Sequence, residues 1–128
     1  MSLRSRAVAG ASIRGGIGVA SILAPKAASK VGGFPVEHDN PSARVLAGLF
    51  GVRELLLAWL VIDAVRRPGG PSPSVFALQA AVDAADVAVQ SLPLIRRQGL
   101  DRAALGGIAL AGGAALGWGR MARAAARA

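Results

Sequence analysis

Four long apolar segments, each bounded by proline or arginine, limit what this chain can fold into. A helix needs roughly 20 mainly apolar residues to cross the hydrocarbon core of a bilayer. The last three segments meet that length, while the first is short and is interrupted by Arg14. Short connections between the last three favour antiparallel neighbours. The sequence predicts an all-α fold in a single domain of residues 1–128, a four-helix transmembrane bundle of up-down-up-down topology, with helices at about 7–24, 43–65, 73–95 and 100–119.

The composition also favours a membrane protein. Hydrophobic residues make up 53% of the chain and charged residues 17%, and the mean hydropathy is +0.48. Disorder is excluded, because disordered chains are poor in apolar residues. The formal net charge is +8, but the basic residues stand in short clusters between the apolar segments. This distribution favours a bilayer with anionic lipids, and not nucleic acid, as the partner.

The polar residues between the segments predict helix ends and an orientation. The stretch 26–31 is expected to form a short interfacial helix, and Asn40 before Pro41 is a helix-start signal. Seven Lys and Arg lie at the end of the bundle with both termini and six at the other end, which predicts cytoplasmic termini. Trp59 and Trp118 are expected in an aromatic belt near the termini.

The expected location is the inner (plasma) membrane of a bacterium, as a multi-pass protein. High usage of Ala, Gly and Arg is typical of a bacterium with a G+C-rich genome. The first segment resembles a signal peptide in its basic start, but the residues after it offer a poor cleavage site. We therefore expect it to remain as an uncleaved helix.

Ionisable and amide side chains lie at a similar depth in the first three segments. Those of the third segment are spaced by 4, 3 and 4 residues, so they share one narrow stripe of a helix. A lone charge at the centre of a membrane helix costs about 2.5–3.5 kcal/mol, so these groups are expected to pair or to be hydrated. The predicted intramembrane polar cluster comprises Arg14, Arg53, Glu54, Gln79, Asp83, Asp86 and Gln90.

Two interpretations of this cluster are open. The simplest pairing joins Arg53 to Asp83 or Asp86, and Arg14 to Glu54 or the remaining aspartate. In the structural interpretation, these salt bridges set the register and orientation of the helices. In the functional interpretation, the excess carboxyl group holds a proton, or the cluster binds an ion or a small polar ligand. The near balance of opposite charges favours the structural interpretation.

The fourth segment carries small residues at regular spacing, including one GxxxG match. Such surfaces allow close helix contact in a membrane. We expect this face to pack against the first segment, which is also rich in glycine, and the alternative is an interface with another copy or another protein. The predicted helix-packing residues are Gly107, Ala111, Gly113, Ala115, Gly117 and Gly119.

No motif for catalysis, a metal or a cofactor is present in the sequence. His38 is the only histidine and there is no cysteine, so a zinc set is incomplete. No serine has a base nearby, and the glycine-rich stretch after Arg14 lacks the Lys-Ser/Thr of a phosphate-binding loop. The sequence therefore predicts no catalytic residues, no metal and no cofactor, and an enzyme is the less favoured class.

Three short motifs resemble a known family. The start of the second helix, 47–55 (AGLFGVREL), is similar to a signature of small actinobacterial four-helix membrane proteins of unknown function, the DUF4267-like group. Arg14 followed by 23–25 resembles their first helix, and 81–86 (AVDAAD) their third. The resemblance implies the four-helix fold and no activity. It also implies that three cluster residues belong together, Arg53, Asp83 and Asp86.

These patterns predict a non-catalytic membrane protein that acts as an accessory subunit or scaffold and associates with a protein partner or with itself. One alternative is a small-molecule or proton-coupled carrier that uses the mid-membrane charges and works as a dimer. Another alternative is a membrane oxidoreductase helper, although the sequence lacks the Cys and His ligands typical of one.

Overall fold

The structure, a computed structural model, describes all 128 residues and is all-helical, with no strand. The all-α prediction is therefore confirmed, although there are five α-helices where the sequence predicts four. The four long helices overlap the four apolar segments, although the first begins at Leu3 and the last ends at Ala125, beyond the predicted bounds at 7 and 119. The extra one is the short helix expected after Pro25. The elements are α1 (Leu3–Leu23), α2 (Pro25–Val31), a 3-10 turn (Val36–His38), α3 (Pro41–Arg66), α4 (Pro73–Ile95) and α5 (Asp101–Ala125).

Local signals begin α3 where the sequence predicts. The side-chain oxygen of Asn40 accepts a hydrogen bond from the backbone N–H of Ala43 at 2.9 Å, and Pro41 occupies the first turn. Proline suits that position, because its missing N–H has no helical partner there. Arg44, near the start of α3, donates two hydrogen bonds to Asp39 just before the helix, and these bonds hold the pKa of Asp39 below its usual range.

Helices α1 and α3 form one tight antiparallel pair around two glycines. A Cβ atom on Gly18 would lie 2.8 Å from the carbonyl oxygen of Gly51, and a Cβ atom on Gly51 would lie 2.6 Å from that of Gly18. The two backbones therefore touch at this crossing. Towards the start of α1, Gly15 faces Ala58 further along α3, which shows the antiparallel direction.

Helices α4 and α5 form the second tight antiparallel pair. The side-chain amide of Gln90 fills the space beside Gly107, and Val87 faces Gly112. The expectation that α5 packs on the first helix is therefore wrong for most of its length. The physical reason is that two glycines of α1, Gly15 and Gly18, face α3, and only Gly10 near the start of α1 receives a side chain of α5, that of Trp118. Gly113, Gly117 and Gly119 have open space where a side chain would project.

A small core joins the two pairs near the end of the molecule that holds both termini. The rings of Phe76 and Trp118 are stacked, with centroids 6.0 Å apart, and Trp118 also fills the space beside Gly10. Trp118 is 4% exposed, so its expected place in an aromatic belt is wrong, whereas Trp59 is 59% exposed. The core cluster contains Ala7, Ala11, Ala58, Val61, Val65, Phe76 and Trp118.

The outside of the molecule is largely apolar. Only 19 of the 128 residues are buried, and five of those are polar or charged. All four long helices expose large aliphatic side chains, among them Ile13, Leu49, Val89 and Leu110. Soluble monomers rarely expose contiguous apolar surface on this scale. The exterior is therefore more apolar than that of a typical soluble helical domain, and charged side chains are buried between the helices.

Two helices, α3 and α4, are long and apolar enough to cross a membrane by length and composition. The sequence reading expected the fourth segment to satisfy this requirement as well, and α5 does not reach it. Alanine and glycine make up much of α5, and they contribute less hydropathy than leucine or valine. The first segment, expected to be marginal, also falls short.

The glycine crossing predicts a sharp contrast between two alanine substitutions in α1. Gly18→Ala places a methyl group against the backbone of α3, which cannot rotate away, and we expect a loss of about 1–3 kcal/mol in the free energy of unfolding. Gly16→Ala, two residues earlier, meets nothing within 4 Å and should be neutral or stabilising by up to about 1 kcal/mol. Denaturant unfolding in detergent measures both, and equal stabilities would contradict the crossing.

Candidate functional site

Five ionisable side chains from α1, α3 and α4 meet between the two helix pairs. We call them the ionic cluster: Arg14, Arg53, Glu54, Asp83 and Asp86. They form one chain in which the charges alternate, with a carboxylate at each end and one in the middle. Their formal sum is −1 when all are ionised, because two arginines face three carboxylates.

Arg14 is buried and bridges the two pairs. Its Nη1 donates to the two carboxylate oxygens of Glu54 at 3.1 and 2.9 Å. Its Nη2 donates to the two oxygens of Asp83, both at 2.6 Å. The side chains of all three residues are 6% exposed. Since a buried charge is tolerated only when it is paired and hydrogen-bonded, this arrangement satisfies the requirement for each of them.

Arg53 connects the ionic cluster to the surface of the molecule. It donates to the two oxygens of Asp86 at 2.7 and 2.5 Å, and to Glu54 at 3.0 Å. Glu54 is therefore shared by both arginines. The ring of Phe50, one turn earlier on α3, lies 5.0 Å from the guanidinium carbon of Arg53. A cation above an aromatic face gains about 0.5–2 kcal/mol, more when it is desolvated. The pairing of Arg53 with Asp86 is one of those predicted from the sequence, whereas its bond to Glu54 was not predicted.

The two glutamines of the predicted cluster lie outside this chain of charges. Gln79 is fully buried, and its side-chain N–H donates to the carbonyl oxygen of Leu57 at 3.0 Å, so it links α4 to α3. Gln90 is half-buried and packs on Gly107 in α5. The polar stripe along α4 therefore contacts three helices. Gln79 and Asp86 contact α3, Asp83 contacts α1, and Gln90 contacts α5.

The glycine crossing positions the inner half of the cluster. Arg14 is one turn from Gly18, and Glu54 is one turn from Gly51, so the closest approach of the two backbones brings the guanidinium and the carboxylate together. The sequence reading used neither glycine for this purpose. Each glycine lies three or four residues from a charged residue on the same helix, and this spacing is the sequence signal from which both glycines could have been identified. The reading also missed Trp118, whose ring centroid lies 6.0 Å from the guanidinium carbon of Arg14.

The predicted packing residues of α5 are divided between contact and open surface. Gly107 and Ala111 face the rest of the molecule, with Ala111 8% exposed. Ala115 is half-buried, and the remaining three, Gly113, Gly117 and Gly119, meet no neighbouring atom within 4 Å of a built Cβ. This arrangement leaves the GxxxG match of α5, Gly113 to Gly117, outside the intrachain contacts.

A groove of about 390 Å³ lies at the end of the molecule opposite the termini. It is formed where the segment after α2 meets the turn between α4 and α5, and no residue of the ionic cluster lines it. Two cationic side chains, Lys30 and Arg102, stand beside the apolar side chains of Phe34, Val36 and Leu100. Neither cation has an ion-pair partner within 4 Å.

Chemically, the ionic cluster is a set of charges that satisfy one another. Each arginine binds two carboxylates, and each carboxylate receives at least one arginine. Removing one member of such a network lowers the stability of the fold strongly, because a buried charge is left unpaired. The intact network adds little stability over a well-packed apolar core. The arrangement is therefore well suited to holding two helix pairs in a single register.

The comparisons with known proteins found no relative. No protein-family model matches the chain, and no curated protein or solved structure is significantly similar to it. The resemblance to the DUF4267-like proteins therefore stays a prediction from three short motifs.

Removal of the central arginine tests the role of the network. Arg14→Met leaves Asp83 without its arginine and should lower the free energy of unfolding by about 3–5 kcal/mol. Adding Asp83→Asn removes the charge that is left unpaired, and adding Glu54→Gln removes the one that keeps only Arg53, so the two changes together should restore most of the loss. Arg44→Met, at the exposed pair with Asp39, is the control and should unfold like the parent. A triple variant no more stable than Arg14→Met would contradict this role.

Proposed function

We propose that this chain is a small integral membrane protein whose four long helices cross a bacterial inner membrane in an up-down-up-down bundle. The observation that supports the proposal is the distribution of polarity over the molecule. Charged side chains are paired between the helices, while large apolar side chains cover the outside of all four. Water would favour the opposite distribution, and hydrocarbon favours this one.

In this proposal the short helices and turns lie at the membrane surface. The end opposite the termini carries unpaired cations around the groove, and exposed apolar side chains beside them, such as Phe34 and Val31. Anionic lipid headgroups attract such cations by about 1 kcal/mol for each one near the surface. The lipid bilayer, with its anionic lipids, is therefore the first partner that we propose.

Within the membrane, we propose a non-catalytic role as an accessory subunit or scaffold of a membrane complex. Two features support it. The charges of the ionic cluster are used in contacts between helices of the same chain. Gly113, Gly117 and Gly119 of α5 are free for contact with another protein, because no atom beyond the neighbouring backbone of the same helix lies within 4 Å of a Cβ built at these positions.

A second candidate function is a small-molecule or proton-coupled carrier. One observation favours it: the outer end of the ionic cluster is open, with the side chains of Arg53 and Asp86 38% and 22% exposed. An excess carboxylate with access to the surface can exchange a proton. In this version, four helices are few for a translocation path, so the carrier would work as a dimer.

Membrane crossing is tested with single cysteines, because the chain has none of its own. Ser42→Cys and Ser72→Cys are isosteric changes at exposed positions beside opposite ends of α3. With cytoplasmic termini, a membrane-impermeant maleimide should label position 42 on intact cells, and position 72 only after permeabilisation. Equal labelling of both positions on intact cells would contradict the crossing of α3, and the reverse pattern would invert the orientation.

The scaffold and carrier functions predict different particles after extraction in mild detergent. A scaffold should purify with another protein in stoichiometric amount, whereas a particle of only two copies supports the carrier. A double variant, Glu54→Gln with Asp86→Asn, separates them further. It should leave the particle folded but abolish proton-coupled uptake in proteoliposomes if the chain is a carrier, and it should destabilise the fold if the cluster is structural, because Arg53 loses both of its carboxylates.

A further inference from the structure

The outer end of the ionic cluster faces away from the rest of the chain. Arg53 and Asp86 lie near the middle of α3 and α4, and their side chains are 38% and 22% exposed, compared with 6% for the inner members. In the membrane location that we propose, the middle of these helices lies in the hydrocarbon core of the bilayer. Charged groups at such a depth almost always face the protein interior or a water-filled cavity. Something must therefore cover this end of the cluster.

The surface around this end suits contact with another helix. On α3, Leu46, Leu49 and Leu56 lie within one or two turns of Arg53 on the same side, and all are exposed. On α4, Val89 is one turn from Asp86 and is 62% exposed. The Nε of Arg53 is buried and has no acceptor. We call this surface, formed by Leu46, Leu49, Arg53, Leu56, Asp86 and Val89, the α3–α4 face.

We propose that a second copy of this chain docks on the α3–α4 face, related by a two-fold axis that passes between Arg53 and Asp86. The argument is charge complementarity. The face carries one positive and one negative group side by side, so a two-fold rotation places Arg53 against the partner's Asp86 and Asp86 against the partner's Arg53. Symmetric dimers are built from such self-complementary patches. The inference rests on the membrane location proposed above.

This docking satisfies groups that the single chain leaves open. Asp86 receives two hydrogen bonds from Arg53 and has lone pairs for more. Of the five N–H donors of Arg53, three donate within the chain and the one on Nε is buried, which leaves one N–H of Nη1 for the second copy. The leucines around them exclude lipid and water from the charges. The inner charges, Arg14 with Glu54 and Asp83, are not needed for the contact.

Disulfide cross-linking in native membranes tests the face directly. Leu49→Cys and Val89→Cys lie on it, and Leu110→Cys on α5 is the matched control, because all three residues are 62% exposed in the parent chain. Leu49 lies one turn from Arg53 on α3, and Leu110 lies one turn along α5 from the residue that faces Gln90. The two positions are therefore at similar depths along the helices. After oxidation of membranes that hold both single variants on differently tagged copies, we expect position 49 of one copy to link to position 89 of the other, because the two-fold axis sets α3 against the partner's α4, and we expect no link to position 110.

The charges are tested in the Leu49→Cys background. Asp86→Asn keeps the shape of the side chain and leaves the inner cluster intact, and it should lower the dimer association constant in detergent by about tenfold or more. Asp63→Asn, in the exposed pair with Arg67, is the control and should leave association unchanged. The unfolding transition of each variant is measured in parallel, so that loss of association is separated from loss of fold.

Three results would overturn the proposal: linking through position 110 in preference to 49 and 89, no linking at any position, or linking of position 49 only to a different protein. Cysteine labelling at 42 and 72 keeps the two proposals apart. If α3 crosses the membrane but no homodimer is linked, only the docking of a second copy is overturned. If α3 does not cross, both the membrane location and the docking are overturned.

Discussion

The rest of the structure depends on Arg14, whose guanidinium joins carboxylates from both helix pairs. Glu54 belongs to the pair of α1 and α3, and Asp83 to the pair of α4 and α5. Apolar packing between the pairs is concentrated at one end, where Phe76 and Trp118 stack. Further along, the contact is made by long polar side chains. A buried guanidinium stays charged and destabilises the fold when its carboxylates move away, so the network resists sliding of one pair against the other.

Close backbone contact makes this network possible. The Gly18–Gly51 crossing holds α1 on α3 with the carbonyl oxygens in contact distance of the opposite glycine, and it sets Arg14 beside Glu54. Small residues act in the same way in the other pair, where Gly107 makes room for Gln90. Chains that pack through small residues keep their large aliphatic side chains on the outside. Tight pairing, buried charge and an apolar exterior are thus three consequences of one choice of residues.

Much of the local structure could be predicted from the chain. The helix of 73–95 has the bounds expected from its prolines and arginines, and α3 begins at the Asn40-Pro41 signal. The stripe of polar residues on α4 follows from spacing alone, and so does the need for its aspartates to find arginines. Other features could not be predicted. α5 lacks the hydropathy expected of it, and Trp118 is in the core and not at an interface.

By itself, the sequence determined where the helices begin and end and which side chains share a face, because proline, capping residues and helical periodicity act within a few residues. Only the tertiary structure decided which helices pair and which arginine meets which carboxylate. Arg14 could have met any of three acids, and α1 could have packed on α5, with equal support from spacing. The pairing of helices depends on the close contact of two glycines from separate helices, and such contact requires that both helix surfaces have matching shapes.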